Sequence, residues 1–142
     1  MEVRIINPPR IVWVGEKGDI ENQHMVDIAM EPDEVIVFKT GYELVRKSWG
    51  YYCTPSLNVR LTEQGLRAAL TKNKDARYYI VLVLQDKQHE FSAYLEKEKQ
   101  EFICWMDQQE SLEAIEEMAA ALSPRLNTAN LPAKGKVKTS RR

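Results

Sequence analysis

An α+β fold, an antiparallel sheet of short strands with two helices packed on it, follows from three observations. Short apolar runs in the first half are separated by turns bearing Pro and Gly. Two later runs repeat their apolar residues at helical spacing. No strand, Gly-rich turn and helix alternate as they do in a doubly wound nucleotide-binding sheet.

Each element has its own signal. "VRII" is stopped by Pro8 and Pro9, which donate no ladder hydrogen bond, and "IVWV" resumes until Gly15. "IAM" and "VIVFK" flank "EPDE", where Pro32 suits the second position of a tight turn. Gly41 then turns the chain into "YELVRKSWGYYC". Residues 62–72 read two ways. As a helix, Thr62 caps and Leu66, Ala69 and Leu70 share a face; as a strand, Leu66, Ala68 and Leu70 alternate with Arg67, Ala69 and Thr71. Gly65 weakens the helix and favours a hairpin through "NKDA" into "RYYIVLVLQ". The sheet then has six or seven strands.

Two helices are clearer. Asp86 is placed to cap "KQHEFSAYLEKEKQ", with Phe91 and Leu95 four apart on one face. "EFICWM" reads as a strand. Asp107 and Glu110 have capping-box spacing ahead of a stripe of Leu112, Ile115, Met118 and Leu122, which Pro124 ends. Residues 1–123 are thus expected to form one domain and 124–142 a flexible basic tail.

Charge is divided the same way. Six of the 20 basic residues lie between Pro124 and Arg142 with no acidic residue among them, leaving 14 basic against 21 acidic residues in 1–123. Phosphate neutralisation needs a positive face, so nucleic acid is an unfavoured partner except through the tail. The longest apolar run, "YYIVLVL", is too short to span a bilayer. Cys53 and Cys104 form no CxxC or metal spacing, which fits a reducing compartment. The N-terminus lacks the apolar core of a signal peptide. The expectation is a cytoplasmic protein without membrane association.

Catalytic signals are sparse. His24, with Asp27 and Glu31, lacks the tight His/Cys grouping of zinc sites. His89 reads as solvated helix surface. A reactive Cys53 would need a neighbouring base or a helix N-terminus, so a small buried thiol in a strand is the simpler reading; Cys104 reads as core. No phosphate loop occurs, and "GEKG" is a turn. No catalytic residue, metal or cofactor is assigned.

"KSWGYYCTPSLNVRL" is the exception. As one strand, it places Trp49 and Tyr51 on one face with Lys47, and Arg46 and Tyr52 on the other, unless Gly50 shifts the register. Ser56, Asn58 and Arg60 follow in a loop. Aromatic rings beside guanidinium groups suit planar or sugar-like ligands. Arg46, Trp49, Tyr51, Ser56, Asn58 and Arg60 are therefore the candidate ligand-binding residues. The competing reading makes the rings cross-strand pairs that stabilise the sheet.

Through "WGYYCTPSLNVRL" and "ARYYIVLV", residues 3–107 resemble a small bacterial family without an assigned activity. Its members lie beside genes for surface-polysaccharide and nonulosonic-sugar biosynthesis. Cys53 departs from the small apolar residue expected there. The resemblance implies a binding or accessory protein of the bacterial cytoplasm, whose partner is a pathway protein or a small polar ligand. An enzyme acting on an anionic sugar or nucleotide-sugar, with Arg46 and Arg60 as clamps, is the alternative. A nucleic-acid binder working through the basic tail is another. Short strands with partly protected edges also favour a homodimer.

Overall fold

The computed structural model describes residues 1–123; the segment 124–142, read from the sequence as a tail, lies outside them. The fold is α+β. Where one sheet of six or seven strands was expected, eight strands form three antiparallel sheets among the described residues. The breaks fall at links containing Pro32 and Pro55, which cannot continue a hydrogen-bonded ladder. Two compact units are distinguished, Met1–Asp107 and a second beginning at Gln108.

The first sheet is a long hairpin of β1 (Glu2–Val14) and β2 (Ile20–Ala29). Pro8 and Pro9 do not end β1, as expected from the sequence; they sit in a bulge. Ile5 pairs with Val26 and Arg10 with His24, so residues 6–9 stand opposite Met25 alone. A bulge spares the ladder the hydrogen bonds that proline cannot donate. No strand residue of this hairpin is buried.

The second sheet orders β3 (Val35–Val37), β4 (Glu43–Lys47) and β5 (Gly50–Cys53). Pro32 takes the second position of its turn as expected: the Glu34 N–H donates to the Glu31 carbonyl at 3.2 Å and Asp33 adopts a φ of 74°. "ELVRKSWGYYCT" is not one strand. Lys47 pairs with Gly50, so Ser48 and Trp49 form a two-residue turn and the chain doubles back.

A single helical turn, α1 (Arg60–Glu63), inserts Leu61, 1% exposed, against Leu66 and Ala68, with Tyr42 and Met106 around them. The third sheet has β6 (Leu66–Lys72) between β7 (Tyr78–Leu84) and β8 (Glu101–Trp105). The strand reading of residues 66–72 therefore holds. Asn73 closes the hairpin, its side-chain oxygen accepting the N–H groups of Asp75 and Arg77 at 2.9 and 3.0 Å.

Helix α2 (Gln88–Lys97) packs Phe91 toward Trp105 and buries Leu95. Asp86 does not cap it, because residues 85–87 form a 3-10 turn and Lys87 takes the cap position. Helix α3 (Gln109–Ala121) is capped by Gln108 without a side-chain hydrogen bond. Asp107 is not its cap either; the carboxylate is engaged by Arg67. Cys53 lies in a strand as expected but is exposed rather than buried, at the end of β5, and Cys104, expected in the core, is only half-buried. No helix among the described residues is long and apolar enough to cross a membrane.

Candidate functional site

The β4–β5 hairpin sorts the sequence-selected residues onto two sides. Arg46 and Tyr51 are cross-strand partners, with the guanidinium carbon 5.4 Å from the ring centroid. Among the described residues, Arg46 Nη1 is buried without a hydrogen-bond partner. Trp49, 66% exposed, leaves the turn and stacks on Tyr52 at 6.1 Å and 20°. Arg60 approaches Glu43 at 4.0 Å, and the Thr54 hydroxyl donates to the same carboxylate. Glu43 and Arg46 are three apart in β4 and point to opposite faces. The two arginines do not form one clamp. Ser56 serves the backbone: its hydroxyl accepts the Arg60 N–H at 3.0 Å and its carbonyl the Leu61 N–H. Asn58 is exposed in the same link.

His24 lies in a polar chain on the β1–β2 hairpin. Arg10 Nε donates to His24 Nδ1 at 3.3 Å, which leaves Nε2 to donate to Asp27 Oδ1 at 2.6 Å. Arg4 also donates to Asp27, and together with His24 it holds that carboxyl below the usual range. The Glu31 backbone N–H donates to Glu34 Oε1 at 2.7 Å, and no group among the described residues is arranged to hold a metal ion. Burial first, and then the neighbouring Cys53 thiol, push the Tyr42 phenol up to about 12.

A different set of residues forms a cleft. The tip of the β1–β2 hairpin meets the β6–β7 turn and the end of α2, enclosing about 390 Å³. That volume falls within the roughly 300–1,000 Å³ of small-molecule sites. Gly15 and Glu16 line one side; Asn73, Lys74, Tyr79, Tyr94, Glu98 and Gln100 line the others. The Glu16 N–H donates to Glu98 Oε1 at 2.6 Å, and Lys74 and Lys99 reach the Glu16 carboxylate at 2.9 and 3.9 Å. The Lys74 hydrogen bond lowers the Glu16 pKa, and the same contact raises that of Lys74.

Gly15 makes the approach possible. Its φ is 98°, and a Cβ there would lie 2.7 Å from Glu98 Oε1. Glu98 is only 5% exposed. The walls therefore offer two phenol rings, two carboxamides and a buried carboxylate. Glu16, Asp75 and Glu98 stand against Lys74 in the lining, with Lys99 also at the Glu16 carboxylate, so the cleft carries a small acidic excess.

None of these residues was singled out from the sequence. "GEKG" reads locally as a turn, and no spacing connects Glu16 to Glu98, 82 residues further on. Convergence created the cleft. The chain matches no known protein-family profile, no curated protein and no solved structure.

Proposed function

We propose that this is a non-enzymatic binding or accessory protein that holds a neutral, polyhydroxylated small molecule, such as a monosaccharide unit, in the hairpin-tip cleft. The carrying observation is the combination of Tyr79 and Tyr94 with Asn73, Gln100 and Glu98 around one cavity. Phenol rings supply apolar area to the face of a sugar ring, while carboxamides and carboxylate satisfy hydroxyl groups. The negative lining favours neutral over anionic ligands. The resemblance to proteins encoded beside surface-polysaccharide genes supports a carbohydrate over other hydroxylated molecules. It also motivates a bacterial cytoplasmic setting. The alternative enzyme for anionic sugars loses its motive, because Arg46 and Arg60 stand on opposite faces of β4–β5.

Isothermal titration with N-acetylglucosamine and methyl α-glucoside, beside N-acetylneuraminic acid as an anionic probe, tests this reading. Roughly millimolar affinity for a neutral probe is expected. Tyr94→Ala and Gln100→Ala should abolish it, whereas Trp49→Ala should leave it unchanged. Loss of binding in Trp49→Ala alone would return the site to the aromatic hairpin.

A further inference from the structure

The outer edge of β7 has the composition of an interior strand. Tyr78–Leu84 reads YYIVLVL, without a charge or a proline, and its seven pairs with β6 show no bulge. Natural edge strands are blunted by one of those devices, because an unpaired row of backbone groups recruits another strand. Among the described residues β7 pairs only with β6. Tyr78, Ile80, Leu82 and Leu84, which alternate onto one face, are all exposed, Ile80 at 59%.

We propose that β7 pairs with β7 of a second copy of this chain, antiparallel about a two-fold axis at Val81. This assembly does not rest on the ligand reading. Full overlap of the two strands sets Tyr78 opposite Leu84, Tyr79 opposite Val83 and Ile80 opposite Leu82, so the exposed apolar residues of both copies join on one face. The ends are complementary in charge: Arg77 immediately precedes the strand and Asp86 lies in the 3-10 turn just after it, so antiparallel pairing brings Arg77 of one copy toward Asp86 of the other. A shallow groove of about 410 Å³ runs between β7 and α2, walled by Val81, Val83, Phe91 and Tyr94 and rimmed by Lys87 and Glu90. The two three-stranded sheets become one six-stranded sheet, and both apolar edges disappear.

Light scattering on the full chain should give twice its 16.5 kDa mass, and Ile80→Lys should return it to 16.5 kDa with an unchanged circular dichroism spectrum. Ile80 is exposed, so the lysine is tolerated by the separate chain. A cysteine at position 81 in a Cys53→Ala, Cys104→Ala background reads the register independently. It should cross-link to its counterpart under mild oxidation faster than cysteines at 80 or 82, because only residue 81 faces itself. A wild-type mass of 16.5 kDa at high micromolar concentration would overturn the proposal, as would a dimer that survives Ile80→Lys. Faster cross-linking at 80 or 82 would overturn the register.

Discussion

Asp107 and Arg67 form a two-pronged ion pair, with Nη2 2.8 Å from Oδ1 and Nε 3.3 Å from Oδ2. The carboxylate also accepts the Ala68 N–H at 2.8 Å, and the guanidinium carbon lies 3.9 Å from the Trp105 ring centroid. The Asp107 side chain is 3% exposed and that of Arg67 18%. Both carboxylate oxygens and two of the guanidinium nitrogens are engaged, so the pair closes the end of the third sheet rather than leaving charge stranded.

Asp107→Ala should therefore cost about 3–5 kcal/mol in urea denaturation, because it leaves a largely buried guanidinium and a buried backbone N–H without their acceptor. Asp107→Asn, which retains an acceptor, should cost less. A loss below about 1 kcal/mol for the alanine variant would show that solvent reaches the pair freely.

This pair also shows why part of the fold escaped the sequence. Asp107-x-x-Glu110 has the local form of a helix cap, but Arg67, 40 positions away, offers a charged fork that a backbone N–H cannot match. Residues 66–84 were legible because alternation, Gly65 and the Asn73 turn agree with one another. The β4–β5 turn was not, since Ser48–Trp49 lacks the Asn-Gly or Asp-Gly signature of a two-residue hairpin. The cleft depends on contacts between segments far apart in the chain, which local periodicity does not encode.

Trp49 should behave as a surface residue. Its stacking on Tyr52 is worth about 0.5–1.5 kcal/mol, against the 3–5 kcal/mol of a core tryptophan. Chemical denaturation of Trp49→Ala should show the smaller loss; unfolding of the variant would mean that the ring is part of the scaffold.

Alkaline titration should expose Tyr42. Its neutral form is favoured in the folded chain, mainly by burial and secondarily by Cys53, with a pKa of about 12 against about 10 for a free phenol. Its contribution to stability is complete below about pH 10. It is lost as pH rises toward about 12, because the unfolded phenol ionises first. Tyr42→Phe should remove that part of the slope, and Cys53→Ala should remove only a fraction of it. Equal slopes in parent and Tyr42→Phe would contradict the assignment.

Gly15→Ala tests how the hairpin tip is seated. The positive φ and the 2.7 Å approach to Glu98 Oε1 both oppose a side chain, and backbone strain of this kind costs about 1–3 kcal/mol. The variant should lose stability and bind neutral sugars more weakly, read by thermal denaturation with and without N-acetylglucosamine. An unchanged melting temperature with full ligand stabilisation would show that the tip does not shape the cleft.

The central claim, that the hairpin-tip cleft holds a neutral hydroxylated ligand, is tested most directly by two-dimensional amide NMR during titration with N-acetylglucosamine. Shifts concentrated at Gly15, Glu16, Lys74, Tyr79, Tyr94 and Gln100, saturating together, are the result predicted. Shifts centred on Trp49 and Tyr51, or no saturable shift at millimolar sugar, would contradict it.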